Sequence, residues 1–164
     1  MSGEGKIRKL IVTFFGLGYG PIAPATWGSL GALVVYAGLR WGFQGTPPWW
    51  LMGGLIAAAC VACLVLGPWA IRVFASADPK PMVIDEVAGM WLSVLFLPME
   101  TVSRTVWACA AAFVLFRILD IVKLWPARQL ERLPAGAGIL CDDLAAGIQT
   151  NIILQLVFRL LWRT

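Results

Sequence analysis

Asp85-Glu86, Asp120 and Asp142-Asp143 lie inside the apolar runs VIDEVAGMW, FRILDIVKLWP and ILCDDLAAG, and they make up five of the nine acidic residues in the chain. Hydrophobic residues form 60% of the sequence. A carboxylate in such surroundings costs several kcal/mol unless a cation or strong donors compensate it. Packing and solubility do not need these acids, so they read as a site that holds a metal ion. Paired aspartates beside glycines suit magnesium, which takes few carboxylates and keeps several waters.

Basic and hydroxyl residues stand near these acids. Arg117, Asp120 and Lys123 are spaced by three, so on a helix they occupy neighbouring faces and can pair. Two cations exceed what one acid needs, which points to Arg117 and Lys123 clamping a phosphate while Asp120 holds metal or orients Lys123. Asp85 and Glu86 are adjacent and point about 100° apart on a helix, so one is expected to ligate and the other to orient a water or a basic residue. A loop from Gly16 to Ser29, rich in glycine and proline, leads into a hydrophobic helix. Thr26 and Ser29 are expected as helix N-caps there, and a capped helix N-terminus with exposed amides suits a phosphate. Glycines around Gly136–Gly138 are expected to form a turn that returns Asp142-Asp143 to the membrane surface. Both acidic pairs precede small residues, an echo that predicts two helix N-termini facing one another across a shared cation.

Several chemistries are excluded. The chain has no histidine, which removes Ser-His-Asp hydrolysis, phosphohistidine chemistry and His-based metal sites. No D-x-D-x-T is present. The four cysteines give no disulfide framework. Cys60 and Cys63 sit in a helical apolar run and read as packing, as does Cys109, and Cys141 has no basic partner to make it a thiolate.

The elements that must position these residues belong to a membrane protein. Mean hydropathy is +0.81, and only 13% of residues are charged, a composition outside the soluble globular class. The length suits one domain, 1–164. The expected fold is an all-α, polytopic membrane bundle with four or five hydrophobic segments: Gly28–Phe43, Trp49–Phe74, Val87–Pro98, Thr105–Val122 and Leu144–Trp162. Leu10–Leu17 is too short to cross and is placed at the interface. No cleavable signal pattern is apparent at the amino terminus.

With the amino terminus inside, Lys6, Arg8, Lys9, Arg72, Lys80, Arg117, Lys123, Arg128 and Arg132 fall on the cytoplasmic side, against Arg40, Arg104, Arg159 and Arg163 outside. That follows the positive-inside rule. The same topology brings all three acidic clusters to the cytoplasmic face. The net charge of +4 is spread along the apolar runs, which fits a lipid surface and not nucleic acid.

Four ordered segments then carry a resemblance that covers most of the chain: Gly16–Ser29, Asp78–Trp91, Phe116–Pro126 and Gly136–Gly147. They resemble the bacterial phosphatidylglycerophosphatase A signatures G-x-G-x-x-P-x-x-P-G-T-x-G-S, D-P-x-x-x-V-I-D-E-x-x-G-M-W, F-R-x-x-D-x-x-K-P-W-P and G-G-x-G-I-M-x-D-D-x-x-A-G. The chain departs from these signatures in backbone-shaping residues, with Ala25 and Ala135 for glycines and Leu124 for a proline. The resemblance implies a magnesium-dependent phosphatase of the inner membrane that converts phosphatidylglycerophosphate to phosphatidylglycerol. It implies Asp85, Glu86, Asp120, Asp142 and Asp143 as catalytic residues. Asp85, Glu86, Asp142 and Asp143 would hold Mg²⁺, and Thr26, Ser29, Arg117 and Lys123 would bind substrate. The rival reading is a cation transporter or lipid-binding membrane protein with carboxylates on an ion path; Arg117 and Lys123 among the acids suit a phosphate ester better.

Overall fold

The structure, a computed structural model, describes residues 3–131, 133 and 136–162. Ala135, Arg132 and Arg163, which enter the readings above, lie outside the described residues. The described residues form helices joined by turns, with no β-strand. In chain order the helices are α1 (Gly3–Val12), a 3-10 turn at Leu17–Tyr19, α2 (Pro24–Gly42), α3 (Trp49–Phe74), α4 (Ile84–Val94), α5 (Val102–Val122), α6 (Ala127–Leu130) and α7 (Gly136–Leu161).

Among the described residues, three helices are long and apolar enough to cross a membrane: α3, α5 and α7. The other two expected segments fall short of that for different reasons. The 19 residues of α2 include several glycines, Thr26, Ser29 and Arg40, which dilute its hydropathy. Helix α4 has only 11 residues, a length of about 16 Å.

Helix α4 stops because Leu95 turns to an extended conformation and Pro98 follows. Its last carbonyls would be orphaned inside an apolar bundle. Asn151 and Gln155, one turn apart on α7, supply the donors. The Asn151 amide donates to the carbonyls of Leu92, Ser93 and Leu95, and Gln155 donates to those of Leu95 and Phe96. Non-helical backbone is tolerated in a membrane protein only where such partners exist.

Helix α7 is the central element, packed against α3, α4, α5 and α6. Its crossings run through glycine. A Cβ on Gly147 would sit 2.5 Å from the Gly89 carbonyl oxygen of α4, and one on Gly67 of α3 would sit 2.8 Å from the Gly136 Cα. Close approach of this kind is how helices associate without a hydrophobic driving force. It also corrects the expected turn at Gly136–Gly138: these glycines lie inside α7, where α3 and the backbone carbonyls of Glu131 and Leu133 press against them. Asp142 and Asp143 are therefore two turns into a helix, and the dipole argument applies only to Asp85-Glu86.

Candidate active site

One end of the bundle opens into a cavity of about 960 Å³. The segment 78–83 leads α4 into it and is braced from the Gly/Pro loop. A Cβ on Gly18 would collide with the Pro81 carbonyl, and one on Gly28 would sit 2.7 Å from Val83 Cβ. The Val83 amide donates to the Val12 carbonyl at 2.8 Å. The loop's glycines thus serve close packing that holds the start of α4. The expected caps are not formed. Helix α2 begins at Pro24 after Ala23 in the left-handed conformation, with no side-chain cap. Ser29 is buried and its hydroxyl donates to the Ala25 carbonyl at 3.0 Å, while the Thr26 amide donates to the Ala23 carbonyl. The residue of this loop that lines the cavity is Ala25, not Thr26 or Ser29.

The first turn of α4 carries Asp85 and Glu86, and α7 brings Asp143 against them. One oxygen from each of the three carboxylates lies within 4.8 Å of the others. Asp85 and Asp143 are 3% and 4% exposed, so water does not screen them. Asp85 Oδ1 and Glu86 Oε2 are buried without a hydrogen-bond partner, and among the described residues no cation pairs with any of the three. Three converging carboxylates, two of them with an unsatisfied buried oxygen, fit a hard cation with oxygen ligands. Asp85 and Glu86, expected to divide into ligand and orienting group, both bring an oxygen to the same point.

Asp142, expected in the metal set, is placed elsewhere. Its Oδ2 accepts from Lys123 Nζ at 2.7 Å and its Oδ1 accepts from the Asp143 amide at 3.1 Å. Lys123 also pairs with Glu131 at 3.0 Å. Burial alone would lower the Lys123 pKa, but its bonds to Asp142 and Glu131 outweigh that and raise it above the ordinary lysine value. Arg117 pairs with Asp120 at 2.8 Å, both side chains being 15% exposed. The predicted pairing of Lys123 with Asp120 does not occur. Helix α5 ends at Val122 and Lys123 takes a left-handed conformation with φ 49°, so it leaves the three-residue register and turns toward α7.

Asp85, Glu86, Asp120, Asp142, Asp143, Arg117 and Lys123 thus share one cavity. Three further charged residues line it: Arg72, Asp78 and Glu131. Sequence spacing gives no signal for Glu131, and Arg72 stands out in the sequence only as a basic residue of the inner set. The four cysteines are free, and none belongs to the carboxylate triangle. Cys63 Sγ donates to the Gly136 carbonyl at 3.6 Å, in keeping with a packing role.

Comparison with known proteins agrees with this chemistry. Residues 10–158 match the family described as phosphatidylglycerophosphatase A. A Bacteroides thetaiotaomicron protein named "Putative phosphatidylinositol-3-phosphatase" is 36% identical over 157 residues, which cover 94% of this chain and 95% of that protein. Phosphatidylglycerophosphatase A of Escherichia coli is 34% identical over 149 residues, covering 90% of this chain and 81% of its own. The Haemophilus influenzae phosphatidylglycerophosphatase A is 31% identical over 151 residues, with 88% and 85% covered. No solved structure matches the chain.

Proposed function

Since this chain belongs to the phosphatidylglycerophosphatase A family, a family of lipid phosphatases, we propose that it removes the terminal phosphate of phosphatidylglycerophosphate in a magnesium-dependent reaction. The observation that carries this reading is the buried triangle of Asp85, Glu86 and Asp143 in a cavity that also holds a guanidinium and an ammonium group. In this reading the triangle holds Mg²⁺, which when bound supplies positive charge to the phosphoryl oxygens. Asp120 fixes one edge of the Arg117 guanidinium, leaving the other edge for the oxygens of the phosphomonoester. Lys123, kept charged by Asp142 and Glu131, adds a second donor group at the same cavity. Catalysis of phosphoryl transfer rests mainly on such positioning and charge stabilisation.

The membrane reading extends the same way. We take α3, α5 and α7 as crossings, α2 as a fourth, and α4 with the capped 95–100 stretch as a fifth, in a bacterial inner membrane with the cavity facing the cytoplasm. Charge supports it: Arg72, Arg117 and Lys123 line the cavity, and Lys9 stacks on Phe74 at the cytoplasmic end of α3, 5.7 Å from its ring. Arg40 lines a groove between α2 and α5 that is separate from the acidic cavity, and Arg104 pairs with Glu100, which lines the same groove.

The name of the Bacteroides relative favours a second reading, in which the terminal phosphate sits on an inositol ring. Both lipids present a phosphomonoester on a phospholipid headgroup. Phosphate release from short-chain phosphatidylglycerophosphate and from short-chain phosphatidylinositol 3-phosphate, measured side by side on purified protein, decides between them. The expected result is faster release from the glycerol lipid, loss of turnover with excess chelator and recovery with magnesium. Asp85→Asn, Glu86→Gln and Asp143→Asn should each remove nearly all activity. Activity within a few-fold of wild type in all three would refute the metal-site assignment.

A further inference from the structure

Three cationic side chains line the cavity among the described residues, and two of them are already bound to carboxylates: Arg117 to Asp120, and Lys123 to Asp142 and Glu131. The third, Arg72, is in no ion pair among the described residues. It comes from the last turn of α3, a different helix from the other two. Its Nε donates to the Pro68 carbonyl at 3.1 Å. That bond ties down the side chain by one nitrogen and leaves the two terminal nitrogens of the fork available. Arg72 is exposed, and its neighbour Val73 is exposed on the apolar surface of the same helix. Arg72 therefore sits where the polar cavity meets a surface suited to lipid chains, with Pro68 and Ile71 lining the cavity beside it.

A lipid that places its terminal phosphate at the carboxylate triangle must leave its acyl chains outside the cavity. The phosphodiester that joins headgroup to diacylglycerol then falls between them, at the rim. We propose that Arg72 binds this phosphodiester, forming a subsite separate from the one that takes the terminal phosphate; the proposal rests on the reading of the chain as a phospholipid phosphatase. The ligand class is a diacylglycerol phosphodiester whose headgroup carries a phosphomonoester, so the subsite serves either headgroup considered above. A guanidinium fork matches the two non-bridging oxygens of a diester, which a point charge does less well.

The test uses two probes that each carry one of the groups, on the full chain in detergent: dihexanoyl phosphatidylglycerol, which has the diester alone, and inorganic phosphate, which mimics the monoester. Both are titrated into wild type, Arg72→Gln and Arg72→Lys. Loss of a hydrogen-bonded charge should weaken phosphatidylglycerol binding about tenfold in Arg72→Gln, with phosphate binding within about twofold and partial recovery in Arg72→Lys. In turnover, the same variant should raise KM for the diester-bearing lipid more than it lowers kcat. Unchanged phosphatidylglycerol binding in Arg72→Gln would overturn the proposal, as would equal loss of both probes, which marks a change in the whole cavity. A wild-type protein that binds phosphatidylglycerol yet releases no phosphate from either lipid sinks the phosphatase reading. The dependence of phosphatidylglycerol binding on Arg72 still decides the subsite in that case.

Discussion

Asp142 and Asp143 are chain neighbours on α7 with different partners. Asp143 faces Asp85 and Glu86, whereas Asp142 is held by Lys123. The two should therefore separate in a magnesium titration of activity. If the triangle holds Mg²⁺ as proposed, Asp143→Asn should abolish activity or shift the magnesium requirement upward by more than tenfold, as loss of a ligand to a hard cation does. Asp142→Asn should keep the wild-type magnesium midpoint while lowering kcat/KM, because Lys123 loses its shorter ion pair. Equal magnesium shifts in both variants would return Asp142 to the metal set. The pairing of Arg117 with Asp120 invites a similar comparison. If the pair serves only mutual neutralisation, Arg117→Gln with Asp120→Asn should recover what Arg117→Gln loses, since the buried charge leaves with its partner. We expect the double variant to be as inactive as the worse single. That these acids gather at one place was legible in the sequence, because charge in an apolar run needs a reason. Which acid meets which cation was not, since that depends on where α5 ends and how α7 rotates.

Helix α4 brings Asp85 and Glu86 to the cavity and is secured at both ends, by the braced segment 78–83 before it and by the side chains of α7 after it. Asn151 and Gln155 make five hydrogen bonds to carbonyls at its end and in the turn that follows, those of Leu92, Ser93, Leu95 and Phe96. Asn151→Leu should leave three of those carbonyls with fewer donors in an apolar bundle and destabilise the protein by roughly 1–3 kcal/mol. Thermal unfolding in detergent checks this, and an unchanged Tm would show that the carbonyls find other partners. Neither residue stood out in the sequence, because the need for a cap appears only once α4 is seen to stop at Val94. The same limit explains the misplaced start of α7. Glycine before an acidic pair reads as a turn, yet at Gly136 it permits contact with Gly67 of α3. Local composition shows where a backbone can bend or be approached, and only the packing partner shows which of these it does.

Over the whole molecule, hydropathy made the membrane class and the all-helical fold legible, and it counted spans less well. Helix α4, at 11 residues, and α2, diluted by glycines and polar residues, are not long and apolar enough to register as crossings by themselves. Charge speaks to orientation more directly. Arg72, Arg117 and Lys123 gather at the acidic cavity, whereas Arg104 lies over Trp162, 5.2 Å from its ring, near the far end of α7. If the positive-inside rule sets the topology, the cavity faces the cytoplasm. Single cysteines in a background with Cys60, Cys63, Cys109 and Cys141 replaced by serine test this. Those replacements should themselves retain activity, since none of the four thiols belongs to the carboxylate triangle. Lys80→Cys marks the loop before α4 and Gln44→Cys the turn before α3, both at exposed positions. A membrane-impermeant thiol reagent should modify Gln44→Cys in intact cells and Lys80→Cys only in inverted vesicles. The opposite pattern would place the acids on the outer face and would rule out the proposed orientation. Labelling of both from the same side would require an even number of crossings between them, so α3 would not be a single full span.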